Sequence, residues 1–355
     1  MKFLIGGGTG LIGRSLVSSL RSTGHNVQVI SRKPKEKNDL SWDSIKKNGL
    51  PSDVDVIVNL SGRNIGEVNL LFFIKENYYS YIEEVFTSRI DTTKLLVDLS
   101  KSAPIKAFIN ASAVGFQVMA CFVFQFNKVI NIPRENQVRC NIHSLSRLPY
   151  KTDQYLAYQG FYPPDLQTTY DESAPPRDCN FITNLVNQWE DAAQIPSRPD
   201  IRQIQLRTGV VLSKDSHFIR TVRHVFPLGF CNPIGTGRQW MSWIHLDDMV
   251  RIIEYVSDLE RVFPSGPVNC TSPKPVQQVT FAKAMAESLG APMNIFSDAP
   301  IPSFLFTLLL GRDRATLVLD GQRVIPRKLL NAGFEFKYPD IADALENIFG
   351  RRPRS

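Results

Sequence analysis

The sequence predicts an α/β protein with a doubly wound parallel sheet and a small C-terminal lobe. Three observations predict it. A glycine-rich turn separates an apolar run from an amphipathic run at the start of the chain, and short apolar runs then alternate with helical patterns. A length of 355 residues is enough for one large domain or two small ones, each with a real core.

The opening element is Lys2-Phe-Leu-Ile-Gly6, a short apolar strand that runs into Gly7-Gly8-Thr9-Gly10-Leu11-Ile12-Gly13. Gly7, Gly10 and Gly13 have the spacing G-x-x-G-x-x-G, and a helix over 11–22 follows. A pyrophosphate is attracted to such a turn because the helix start offers free N–H groups and the positive end of its dipole. The glycines let the chain turn sharply, admit phosphate close to the backbone, and let the helix lie against the sheet. Strand before and helix after supply the context that a lone glycine pattern lacks.

Gly24-His-Asn26 then turns the chain into a second strand, Val27 to Ser31, whose end lies near the adenosine ribose in a dinucleotide fold. An NAD site places an acidic residue there. This chain has Ser31-Arg32-Lys33 and no acid before Glu36. The Arg32 fork suits a 2′-phosphate, so NADP is the expected cofactor. A linking segment, 34–52, precedes the third strand, Val54 to Asn59, and Leu60-Ser61-Gly62 follows at its ligand-facing end. A helical region over 70–101 carries Glu84 and Arg89, and Lys106 to Ser112 is the next strand.

From Phe116 to Gly160 neither period persists, which is unusual inside a compact domain. The pattern recovers at Phe161-Tyr162, gives a helix over 181–193, a buried strand Ile201 to Leu206, and the run Arg207 to Leu212. Beyond it lie a glycine- and tryptophan-rich loop, 232–245, a helix capped by Asp247 or Asp248, a strand Pro267 to Cys270, and helices over 277–289, 301–310, 322–331 and 339–349. We divide the chain into a dinucleotide-binding domain, 1–212, interrupted by the irregular 116–160, and a substrate lobe, 213–350, that returns to the first sheet. Residues 351–355 form a tail.

Composition is that of an ordinary soluble globular protein, with a formal charge of +7 and scattered Lys and Arg. A nucleic-acid footprint needs clustered basic residues with interleaved aromatics, which this chain lacks. Five distant cysteines without C-x-x-C pairs indicate neither a disulfide framework nor a zinc site, so no metal is expected. The first strand begins at Lys2, and the longest apolar runs are too short for a bilayer. The expectation is a soluble intracellular protein, cytoplasmic or nuclear, without membrane contact.

Six motifs occur together: Gly6 to Gly13, Val58 to Gly62, Leu206 to Leu212, Pro233 to Gln239, Trp243 to Asp248 and Gly321 to Pro326. In that order they resemble the atypical short-chain dehydrogenase/reductase group called epimerase family 39U. Its bacterial relatives are labelled cell-division-inhibitor-like proteins or nucleoside-diphosphate-sugar epimerases. The likeness spans nearly everything except 116–160. It implies an extended Rossmann fold that binds NADP(H). By position, the implied cofactor contacts are Gly7, Thr9, Gly10, Leu11, Ile12, Gly13, Ser31, Arg32, Leu60, Ser61, Glu84 and Arg89.

Reduction in this superfamily uses a Tyr-x-x-x-Lys pair and a substrate-orienting Ser. Ser112 holds the serine position. Aligning Glu190 with the glutamate usual on that helix puts Ile182 and Val186 where Tyr and Lys belong, and neither moves a proton. A replacement acid could come from Tyr162, otherwise an aromatic wall of the cleft, or from Asp171 and Glu172. A triad of Ser112, His245 and Asp247 lacks the G-x-S-x-G elbow, so Asp247 reads as a helix cap. Trp240, Trp243 and Arg238 read as a substrate lid or as core. Two functions follow: an NADP-dependent oxidoreductase or epimerase of a small polar substrate, or a non-catalytic NADPH-binding protein that sets its shape for a partner. The junctions Gly115-Phe116 and Gly160-Phe161 match, and removing one copy with the intervening residues restores the family pattern. We read 116–160 as the product of a transcript that keeps an intron in frame.

Overall fold

A computed structural model describes residues 1–63, 75–114, 161–163, 165–176, 181–225, 233–290, 304 and 321–350. The irregular 116–160 and the expected helix over 301–310, Phe304 excepted, lie outside them.

A seven-stranded sheet organises the chain, in the order β11-β7-β5-β4-β1-β2-β3. Its strands are β1 (Lys2–Gly6), β2 (Asn26–Ser31), β3 (Leu40–Ser41), β4 (Val56–Asn59), β5 (Ala107–Ala113), β7 (Arg202–Thr208) and β11 (Gly266–Cys270). Every pairing is parallel, with Gly6 opposite both Ile30 and Asn59, and Ser112 opposite Arg207. The central strands are buried on both faces, which is why they read as continuous apolar runs. The strand order reverses between β1 and β4, so a crevice opens at their carboxyl ends.

Helix α1 (Leu11–Ser22) buries Gly13, Leu16, Val17 and Leu20, a helical stripe laid on the sheet. Helix α6 (Leu246–Ser257) packs beside it over Ile5, Val58, Ile109 and Leu206. The other face is covered by α2 (Trp42–Asn48), α3 (Lys75–Ser100) and α4 (Phe181–Ala192), around Leu4, Ile57 and Phe108. Beyond residue 212, α5 (His217–Val225), α7 (Gln278–Leu289) and α9 (Ile341–Phe349) enclose a second core around Trp243, Phe281 and Leu345. In the same stretch, β11 returns to the edge of the main sheet beside β7.

Three elements correct the sequence reading. The linker 34–52 contains β3 and α2, a helix started by the Ser41 hydroxyl accepting from Ser44 N. Helix α5 was not expected. The expected helix over 322–331 divides into a strand, β13 (Arg323–Val324), and a short helix, α8 (Arg327–Asn331). Pro326 stands at the boundary, where its ring disfavours helix in the preceding residue. Strand β13 pairs with β6 (Thr169–Tyr170), a partner distant in sequence.

The described residues on either side of 115–160 lie close together. The chain ends its described path at Val114 and resumes at Phe161, and Tyr162 N donates to Val114 O at 3.5 Å. Val114, Phe161 and Tyr162 also share one buried cluster with Val186 and Val324.

Candidate functional site

The crevice is built first from glycines. Gly7 has φ +74°, and a Cβ there would lie 2.6 Å from Leu60 O. A Cβ on Gly13 would meet Gly7 O at 2.3 Å, so only glycine lets α1 start this close to the turn. Gly10 caps α1 in extended backbone with no side-chain hydrogen bond, leaving first-turn amides available to an anion. Thr9 and Gly10 are exposed above the turn, whereas Leu11 and Ile12 are half-buried.

Two buried hydroxyls line the same crevice. Ser31 Oγ at the end of β2 and Ser61 Oγ after β4 lack a hydrogen-bond partner among the described residues. Leaving a buried polar group unpaired costs about 1–3 kcal/mol, which a bound acceptor would relieve. Arg32 is exposed beside Ser31. Glycine cradle, orphaned hydroxyls and exposed guanidinium fit a phosphorylated dinucleotide.

Glu84 and Arg89 meet this region from α3 through the loop after β4. Arg89 is buried and donates to Arg63 O at 2.9 Å and Val85 O at 3.1 Å, with its guanidinium 5.2 Å from the Trp189 ring. Glu84 forms an ion pair with Arg63. Both residues therefore hold the 62–63 loop as well as flanking the crevice.

The remaining expected residues gather across β5, β7 and β11 in one polar network. Ser112 Oγ donates to Glu190 Oε1 at 2.6 Å. Arg207 grips the same carboxylate with two bonds of 2.8 and 2.9 Å, the strong fork-to-fork geometry. Burial opposes the Arg207 charge, but Glu190 and Tyr162 outweigh it, and its pKa is raised. Arg207 also donates to the Tyr162 hydroxyl at 3.0 Å, which in turn donates to Asn269 Oδ1 at 2.7 Å. Tyr162 is fully buried, and desolvation pushes its pKa up to about 12. Val186, where the family of Tyr-x-x-x-Lys enzymes has its lysine, is buried in the apolar cluster of Val114, Phe161 and Tyr162.

The triad set aside on sequence is not assembled, and the expected cap of α6 is corrected: it is His245, with Asp247 and Asp248 inside the first turn. Ser112 is engaged by Glu190, while His245 Nδ1 accepts from Asp247 N as the cap of α6, its ring 4.1 Å from that of Tyr338. Trp243 is core, with its indole N–H on Lys274 O. Trp240 is half-buried and donates to Leu166 O at 2.9 Å. Among the described residues no three His, Cys, Asp or Glu side chains gather as a metal site, and no helix is long and apolar enough to cross a membrane.

The Glu190–Arg207 pair and Asn269 were missed as functional residues. A signal was present: opposite charges inside a helix and a strand that otherwise bury their side chains rarely stand unpaired.

Comparison with known proteins agrees with this architecture. Residues 3–116 match the family model described as the NAD dependent epimerase/dehydratase family, and residues 301–348 match a domain of unknown function, DUF1731. The chain is 32% identical over 350 residues to the Homo sapiens epimerase family protein SDR39U1, covering 98% of this chain and 99% of that protein. A Staphylococcus aureus epimerase family protein is 29% identical over 356 residues, covering 98% of each. The crystal structure of human SDR39U1 (isoform2) with NADPH superposes with a TM-score of 0.75, at 32% identity, covering 98% of this chain and 99% of that one.

Proposed function

The chain belongs to the epimerase family of SDR39U1, and from that premise we propose that it binds NADPH in the crevice between β1 and β4. The pair of orphaned, buried hydroxyls on Ser31 and Ser61 carries this reading, because each stands at or just past the carboxyl end of a strand flanking β1, beside the glycine turn. Gly7, Thr9, Gly10, Leu11, Ile12 and Gly13 cradle the pyrophosphate, Arg32 takes the 2′-phosphate, and Leu60, Ser61, Glu84 and Arg89 shape the opposite wall. The human relative, crystallised with NADPH, supports the same cofactor. When bound, the nicotinamide supplies two-electron chemistry.

Within this site the chain's own groups favour holding the cofactor over turning it over. The Tyr162 hydroxyl gives its proton to Asn269 and accepts from Arg207, so it has no proton poised for a substrate. Val186 replaces the cationic neighbour that lowers a catalytic tyrosine's pKa. A non-catalytic NADPH-binding protein, with occupancy setting its shape for a partner, is thus the reading favoured by geometry.

One observation favours turnover as an NADP-dependent oxidoreductase or epimerase of a small polar substrate. Ser112 Oγ already donates to the Glu190 carboxylate, so Glu190 is placed to receive a proton passed through the serine from a substrate hydroxyl. The two readings separate in one experiment. Full-length protein is mixed with NADPH and a panel of carbonyl compounds, and with NADP+, as hydride acceptor, and a panel of sugar nucleotides, with absorbance and product stereochemistry followed. Saturable binding without consumption or epimerisation supports the first reading. Turnover that survives Tyr162→Phe but not Ser112→Ala establishes the second.

A further inference from the structure

We propose that Arg323, stacked on Trp240, is a recognition site for an oxyanion, a carboxylate or phosphate group of a small molecule. The guanidinium lies 4.6 Å over the Trp240 ring. Arg323 is exposed, and among the described residues no hydrogen bond or ion pair occupies its five N–H donors. Stacking uses the face of a guanidinium and leaves its edge free for a planar oxyanion in bidentate geometry.

Both partners are held in place from behind. Ser242 Oγ donates to Gln322 O at 2.7 Å and accepts from Val324 N at 3.0 Å, pinning the backbone on either side of Arg323. Val324 is fully buried, and strand alternation sends Arg323 to the opposite face. The indole is fixed by its bond to Leu166 O at 2.9 Å. Gly321 closes the assembly, since a Cβ there would fall 1.9 Å from Trp240 O. A fixed fork loses less freedom on binding than a mobile surface arginine, so this arrangement suits recognition.

Its place in the fold is at the carboxyl ends of the strands. Arg323 pairs with Thr169 and Val324 with Tyr170, whose ring stacks on Tyr162 at 5.5 Å. Val324 belongs to the cluster of Val114 and Val186, and its carbonyl accepts from Thr271 just past β11. Arg323 points away from that cluster, so the oxyanion would bind on the exposed face of β13, against the Trp240 stack. This names a ligand class for a site that stands independently of the cofactor reading. It also gives a role to residues matched by the domain of unknown function.

The test titrates inorganic phosphate, succinate and uridine diphosphate separately into the full-length chain, with and without saturating NADPH. Calorimetry and tryptophan fluorescence are the readouts, and ionic strength is held constant. At least one oxyanion should bind and perturb fluorescence, with affinity reduced about tenfold or more in Arg323→Gln. Arg323→Lys should fall between, because it keeps the charge and loses the fork. NADPH affinity should stay within about twofold in both variants. Preference for succinate assigns a carboxylate, and preference for phosphate or the diphosphate assigns a phosphoryl group. Absence of binding by all three probes, or equal binding by Arg323→Gln, overturns the proposal. Failure of NADPH alone to bind would instead contradict the cofactor reading and leave the oxyanion result standing on the cofactor-free titration.

Discussion

Gly13 and His245 show how single residues carry the account. A Gly13→Ala methyl has nowhere to go, because the obstructing atoms are the backbone of Gly7 and Gly8. The turn must open, and NADPH affinity should fall by about tenfold or more in a calorimetric titration. Unchanged affinity would mean that the turn does not set the phosphate position. Burial lowers the His245 pKa from its ordinary value, against the pull of Asp247 and Asp248, with Lys337 adding to the lowering. The neutral ring is the folded form. A folded pKa below the unfolded one means protons bind preferentially to the unfolded chain. Stability from this group is thus intact above about pH 6.5 and declines as pH falls below that value. His245→Asn keeps an acceptor for Asp247 N and removes the titration. Its denaturation midpoint should lose the part of the pH slope between about 6.5 and 5 that the wild type shows. The close-packed glycines of the turn were legible from sequence because backbone sterics are written in residue type. The engaged state of Tyr162 was not, since it depends on Arg207 and Asn269, distant in the chain and brought close only by sheet order.

At the scale of elements, the strands and longer helices were legible wherever burial made the pattern pure. Helix α1 over Leu11–Ser22 and strand β5 follow the sequence reading closely. Short polar elements were not: α2 depends on a serine cap, and β13 on pairing with β6, which local periodicity does not encode. Helix α4 links the two halves of the site, with Trp189 donating to Thr93 on α3 and Glu190 gripped by Arg207 on β7. Removing one member of a buried ion pair strands the other, so Glu190→Gln should destabilise the fold by about 3–5 kcal/mol in chemical denaturation. A loss below about 1 kcal/mol would show that Arg207 finds other partners. The closeness of Val114 and Tyr162 gives a second prediction. Because Tyr162 N already bonds to Val114 O, deleting 116–160 leaves Val114-Gly115-Phe161-Tyr162 able to form a tight turn. The shortened chain should fold cooperatively and bind NADPH within about twofold of the full chain. An aggregated or non-binding product would show that 116–160 is required. Complementary DNA sequenced across the Gly115 codon decides separately whether transcripts without the segment exist.

For the whole molecule, two cores meet on one crevice. The sheet core supports the glycine turn, while the second core, around Trp243 and Phe281, carries the backbone that presents Trp240. Strand β11 comes from beyond residue 212 and completes the sheet, as a lobe that returns to it requires. A ligand that binds only the folded chain stabilises it by about 2.7 kcal/mol at a hundredfold excess over its dissociation constant. The central claim is that the crevice between β1 and β4 holds NADPH, with Arg32 selecting the 2′-phosphate. Calorimetric titration of NADPH and NADH into the full-length protein and into Arg32→Gln tests it most directly. The account predicts saturable NADPH binding at least about tenfold tighter than NADH, with the preference lost in the variant. A folded wild-type protein that takes up neither dinucleotide, or takes up both equally, would contradict it.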